Sequence, residues 1–148
     1  MRRSPWLERK GGRMYIVLDT NVLVSALLSP ASAPARVLAW ALAGDIVLCT
    51  DARILAEYTD VLHRPEFHFN RTRVAEVLDF ICRESVPVQG VASPVSGPDP
   101  DDMAFVEVCL AGPAECVVTG NLKHYPEKLR KLIRVMTPAD FVASFLKR

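Results

Sequence analysis

The chain has 148 residues, 50% of them hydrophobic, with 18 Lys and Arg against 17 Asp and Glu and a net charge of +1. A single domain of this size buries about two-thirds of its unfolded surface without disulfides or structural metals; near-neutrality excludes a disordered solvating tail and a histone-like coat for nucleic acid, so any polyanion must meet a local patch. Cys49, Cys82, Cys109 and Cys116 lie among apolar neighbours with no C-x-x-C or Cys/His ligand spacing, and they read as small buried hydrophobes in a reducing, cytoplasmic compartment.

Residues Met1 to Arg13 carry no apolar periodicity and include Gly11-Gly12, which predicts a frayed or tag-like extension with Met14 as the natural start. The basic opening followed by Tyr15 to Leu28 mimics a secretory signal, but Asp19 and Asn21 interrupt the apolar stretch. No run is long enough to span a bilayer. The domain is expected to occupy residues 14–148.

Met14 to Leu18 is a short continuous β-branched run, the mark of a strand buried on both faces, and it ends at Asp19. Pro34 to Ala43 reads as a helix with Gly44 placed to close it, and Asp45 to Cys49 as the second strand. From Asp51 to Leu62 the residues Ile54, Leu55, Tyr58, Val61 and Leu62 recur at helical spacing, as do Val74, Val77, Leu78 and Ile81 between Asn70 and Glu84. A brief strand follows at Val86 to Val88. Ala92 to Pro100, rich in Pro, Ser and Gly, is a loop; Asp101 to Ala111 is a helix ended by Gly112-Pro113. Glu115 to Val118 and Ile133 to Met136 are further strands, separated by a short helix at Glu127 to Lys131, and Pro138 to Leu146 is a terminal helix. Strands alternating with helices predict a three-layer α/β/α sandwich around a mainly parallel sheet. Sites in such sheets form outside the carboxyl ends of the strands. That places Asp19 and Thr119-Gly120-Asn121 at one crevice.

Asp19 closes a buried strand and has two readings: cap of the following helix, or an acid facing the crevice that needs donors or a cation. Glu57 sits at the edge of its helix's apolar stripe, where charged residues often border the core with only their stems covered. In Asp99-Pro100-Asp101-Asp102, Asp99 reads as a helix cap and the other acids complement the helix dipole. Capping alone does not account for a third acid beside the same crevice. Two carboxylates about 4 Å apart repel by roughly 4 kcal/mol at an effective dielectric near 20, so a convergent cluster raises its own pKa values or takes up a cation. Oxygen ligands without His or Cys suit Mg²⁺ or Mn²⁺.

In order, Val17-Leu18-Asp19-Thr20-Asn21-Val22, Glu57, Asp99-Pro100-Asp101-Asp102 and Val118-Thr119-Gly120-Asn121 resemble the motifs of PIN-domain nucleases, and the resemblance covers Met14 to about Phe145. Its nearest branch is similar to the toxin components of prokaryotic toxin–antitoxin pairs, where Arg64-Pro65-Glu66-Phe67 and Lys123-His124-Tyr125-Pro126 also have counterparts. The resemblance implies that Asp19, Glu57 and Asp102 are catalytic and ligate Mg²⁺ or Mn²⁺, and that water opens an RNA phosphodiester to leave a 5′-phosphate. It also implies a cognate antitoxin and a homodimer. Many PIN domains have a fourth acid where this chain has Asn121, which removes one charge from the place of a second ion.

Asn21, Ser25, Asp99, Thr119 and Asn121 are candidates to orient ligands or phosphate from behind the acids; Asn21 and Ser25 read equally as capping or surface residues. RNA contact is expected at Lys123, His124, Lys128, Arg130 and Lys131, with Arg134, Arg36 and Arg64 as further candidates, although a charge run also serves as a solvated face. The rival reading is an inactive PIN domain that binds RNA or protein without cutting. A haloacid dehalogenase phosphatase needs a second acid where Asn21 stands, and a dinucleotide site needs a Gly-rich turn that does not follow the first strand.

Overall fold

The computed structural model describes residues 13–89 and 92–147, so the extension expected at residues 1–12 lies outside the described residues. The apolar runs become strands β1 (Met14–Leu18), β2 (Ile46–Thr50), β3 (Val86–Pro87), β4 (Val117–Val118) and β5 (Val135–Met136), paired in parallel in the order β3-β2-β1-β4-β5. Seven α-helices occur among the described residues: α1 (Thr20–Leu28), α2 (Ala33–Ala43), α3 (Ala52–Leu62), α4 (Arg71–Glu84), α5 (Met103–Ala111), α6 (Glu127–Arg130) and α7 (Pro138–Leu146). They cover the sheet to give the expected three-layer α/β/α sandwich, with α2 against α1, α7 and β2, and α5 against β1, β2 and β4.

Sequence chemistry explains the element ends. Ser32 accepts from the Ala35 N–H to start α2, and Gly44, at φ 88°, closes it in the left-handed conformation that glycine tolerates. Asp51 caps α3 by accepting from the Ile54 N–H, and Asn70 caps α4 by accepting from the Arg73 N–H. The helix expected from Asp101 instead opens as a 3-10 turn, Pro100–Asp102, with Asp99 accepting from the Asp101 N–H at 2.9 Å. α1 had no sequence boundary beyond a start after Asp19, because its residues are apolar on most sides.

Strands β4 and β5 are shorter than expected. Backbone bonds nevertheless continue past them: the Glu115 N–H donates to Tyr15 O at 2.7 Å and the Val117 N–H to Arg134 O at 2.9 Å. β3 stops at Pro87, yet the Val88 N–H still reaches Thr50 O at 2.8 Å.

The core includes Ile16, Leu18, Leu23, Ile54, Tyr58, Phe105, Tyr125 and Phe141. Cys49, Cys109 and Cys116 are part of it, and burial pushes each thiol up to about 12, where it is inert. Cys82 corrects the expectation of four buried cysteines: it follows Ile81 on α4, off the apolar stripe, and is exposed. Among the described residues no single helix is long and apolar enough to cross a membrane.

Candidate metal centre

The strand order fixes where a site forms. β1 has β2 on one side and β4 on the other, so the chain leaves it in one direction and returns on the opposite flank, opening a crevice at the carboxyl ends of β1 and β4. Asp19 follows β1 and Thr119 follows β4. The Asp19 N–H donates to Val118 O at 2.9 Å, continuing the ladder one residue past the end of β1.

Asp19 stands at the N-cap position of α1 but its side chain caps nothing. Its Oδ2 instead accepts from Thr119 Oγ1 at 3.0 Å and from the Tyr125 hydroxyl at 2.9 Å, both buried. Burial raises the Asp19 carboxyl, and these two donors only partly offset it. Both of these side-chain donors meet the same oxygen, at the edge of the open cleft of about 680 Å³ that Asp19 lines.

Glu57 is carried to the same cleft by α3. The neighbouring Tyr58 is fully buried and donates its hydroxyl to Leu18 O at 2.5 Å, tying α3 to the residue before Asp19. Glu57 Oε2 accepts from Thr20 Oγ1 at 2.5 Å. Its carboxyl is raised first by burial and then by the charges of Asp19, Asp101 and Asp99.

Asp102 arrives from the 3-10 turn before α5, and its side chain also caps nothing. It is 7% exposed, and its buried Oδ2 receives no hydrogen bond. Burial first, then Asp19, push its carboxyl up to about 7. His124 Nδ1 lies 3.0 Å from that oxygen and pulls the other way. A buried carboxylate is costly to ionise, and three raised carboxyls around one cleft share the same relief: a cation. The residues therefore fit a hard divalent ion.

A family profile described as PIN domain matches residues 15–123. The chain belongs to the PIN-domain family of nucleases. It is 27% identical over 146 residues to an uncharacterized protein of Methanocaldococcus jannaschii, an alignment covering 91% of this chain and 94% of that one. No solved structure matches it significantly.

Within this PIN domain, Asp19, Glu57, Asp99, Asp101 and Asp102 line one cleft, joined by Asn21 and Ser25 from α1. Asn21 holds the crevice floor together. Its Oδ1 accepts from the Gly120 N–H at 2.8 Å and its Nδ2 donates to Thr119 Oγ1 at 3.4 Å. A Cβ at position 120 would meet Asn21 Oδ1 at 3.2 Å, which favours glycine there. Thr119 uses the full capacity of its hydroxyl, donating to Asp19 while accepting from Asn21 and from the Asn121 N–H at 3.1 Å. Thr119→Val should therefore destabilise the fold by about 1–3 kcal/mol in denaturant melts, with Thr119→Ser close to wild type, because two donors and one carboxylate lose their partner together.

Asn121, expected to face the crevice, is turned onto its own chain. Its Oδ1 accepts from the Lys123 N–H at 3.2 Å and its Nδ2 meets His124 Nε2 at 3.0 Å. The expected basic run also divides. Lys123, Lys128, Arg130, Lys131 and Arg134 are exposed and do not line the cleft, whereas His124 does, and so does Arg64, paired with Asp60 at 3.2 Å. Arg36 lies over the Trp40 ring, 5.2 Å from its centroid. Sequence reasoning missed Thr20, Tyr58 and Tyr125, which set the acids in place. Tyr125 sat inside a quoted motif, and its phenol among apolar neighbours was the available signal.

Proposed function

We propose that this PIN domain is a metal-dependent endoribonuclease in which Asp19, Glu57 and Asp102 hold Mg²⁺ or Mn²⁺. The reading is supported by three raised carboxyls that line one cleft, with a histidine nitrogen 3.0 Å from Asp102 Oδ2 in the place a cation would take. An ion held there supplies Lewis-acid polarisation of a phosphate oxygen and acidifies the attacking water. The chain's own groups prepare that place. Tyr125 and Thr119 fix the Asp19 carboxylate, and Tyr58 sets the register of Glu57 against it. Ser25, which lines the cleft, would orient phosphate, with Asn21 holding the crevice floor beneath it, and exposed Lys123, Lys128, Arg130 and Lys131 would supply cationic surface for RNA outside it.

The test is a purified-protein assay on end-labelled RNA. Cleavage is expected with Mg²⁺ or Mn²⁺, none with chelator, and products should carry a 5′-phosphate. Full activity in excess chelator, or 2′,3′-cyclic phosphate ends, would overturn the reading.

The Arg64-Pro65-Glu66-Phe67 and Lys123-His124-Tyr125-Pro126 segments support a finer reading: a cytoplasmic toxin, dimeric, neutralised by a cognate antitoxin. Expression should arrest growth, and co-expression of a small neighbouring reading frame should restore it. Asn121, in place of a fourth acid, favours a second reading as a non-cleaving RNA- or protein-binding module; RNA retention without any metal-dependent product would select it.

A further inference from the structure

Resting on the reading that the acid cluster holds a divalent ion, we propose that His124 Nδ1 is itself a ligand of that ion, beside Asp99 and Asp102. The site is then a mixed nitrogen and oxygen centre, with a preference shifted from Mg²⁺ toward Mn²⁺ and other transition ions.

Three observations carry this. First, one ligand atom each from Asp99, Asp102 and His124 lie within 4.8 Å of one another, although they come from two segments separated by β4. Second, Asp102 Oδ2 and His124 Nδ1 lie 3.0 Å apart, an ion pair when the ring is protonated and the spacing of two neighbouring ligands when an ion takes the place of that proton. For an octahedral ion with bonds of about 2.1 Å, adjacent ligand atoms sit about 3.0 Å apart, both directed at the ion and not at each other. Third, the ring is held at the cleft from its far side: Nε2 is 3.0 Å from Asn121 Nδ2, so the side chain at 121 decides which ring nitrogen carries the proton.

Asn121 also sets the chemistry of the switch into that state. Its Oδ1 accepts from the Lys123 N–H, so it presents an N–H to Nε2, and the neutral ring then carries its proton on Nδ1. Ligation through Nδ1 needs the other tautomer: the ring proton moves to Nε2, and the side chain at 121 must accept it. An amide does so only by turning over and releasing the Lys123 N–H. A carboxylate accepts both. Asn121→Asp is thus expected to strengthen Mn²⁺ binding by acting through His124, with no second ion.

Imidazole suits Mn²⁺ and later transition ions better than Mg²⁺, which prefers oxygen. The chain holds 3 histidines, and of these only His124 belongs to the cluster, so isotopic labelling reads it directly. Mn²⁺ is loaded onto protein labelled with ¹⁵N-histidine, and pulsed electron paramagnetic resonance records its nitrogen couplings. A directly bound ¹⁵N is expected in wild type and absent in His124→Gln. By calorimetry, His124→Gln should weaken Mn²⁺ binding about tenfold or more and leave Mg²⁺ within about threefold. The gain from Asn121→Asp should vanish in the His124→Gln background. Mn²⁺ bound without histidine coupling would overturn the proposal and leave the acid site standing. No Mn²⁺ binding by wild type would overturn both, and equal loss of Mn²⁺ and Mg²⁺ would reduce His124 to a structural role. The labelled wild-type spectrum decides the matter even if a variant fails to fold.

Discussion

Asp19→Asn should abolish metal-dependent cleavage, by about a hundredfold or more, equivalent to about 3 kcal/mol of transition-state stabilisation, while raising the melting temperature of the metal-free protein. The substitution keeps the shape of the side chain. An amide oxygen in the place of Oδ2 still accepts from Thr119 and Tyr125, so the crevice floor stays intact. What is lost is the charge on the cleft side. Asn caps a helix as well as Asp does, so a drop in activity cannot be traced to a weakened α1 start. Stability should rise because Asp19 contributes to the raised carboxyls of both Glu57 and Asp102, and removing it eases both. Normal turnover by a well-folded variant would remove Asp19 from the chemistry. Tyr125→Phe is the companion: it deletes one of the two donors to Asp19 and should cost about 1–2 kcal/mol in a chemical melt, with cleavage reduced but measurable.

Each acid taken alone had a local explanation, as a cap, a border residue or a dipole partner, and what the sequence offered was their order and their shared place beside one crevice. Asp19 interrupts a continuous apolar run, Glu57 borders an apolar stripe with regular spacing, and the Asp99–Asp102 cluster exceeds what one helix start needs. The sheet was legible because β1 and β2 are uniformly apolar and the intervening segments keep a helical period. What local rules do not encode is which hydroxyl meets which distant carboxylate or carbonyl. Thr20, Tyr58 and Tyr125 lie 37, 40 and 106 residues from their partners, and a tyrosine in an apolar stripe looks like packing until the fold shows its oxygen. His124 stood beside Lys123 as one of a basic run, and it is the turn after β4, which the sequence does not spell out, that brings its ring to Asp102. Asn121 was read as facing the crevice because it follows β4, but backbone φ −135° at the head of a 3-10 turn sends its amide to Lys123 and His124.

The metal-free protein should show a stability gap between wild type and Asp102→Asn that opens as pH rises. Burial and the Asp19 charge push the Asp102 carboxyl up from 3.8 to about 7 in the folded state. Below about pH 4 the carboxyl is protonated whether the chain is folded or not, so the charge difference between the two proteins is absent and pH contributes nothing to the gap. Between those values the folded state holds the proton and the unfolded state does not. The native form then binds more protons than the unfolded one, so this group makes stability fall with rising pH until the folded carboxyl has ionised near 7. A rise from 3.8 to about 7 corresponds to at most about 4 kcal/mol, and sharing of charge among Asp19, Glu57 and Asp102 keeps the observed gap below that ceiling. Glu57 and Asp19 are raised as well and make stability fall with pH in both proteins, so the difference between the two curves isolates Asp102. Thermal melts of both proteins from pH 4 to 8 in chelator measure the gap. Saturating Mn²⁺ at pH 7.5 should then stabilise wild type more than the variant, since the ion restores what ionisation of Asp102 removes. Parallel melting curves across the range, with Mn²⁺ shifting both proteins equally, would mean that the unsatisfied Asp102 oxygen is neither strained by its neighbours nor used to hold an ion.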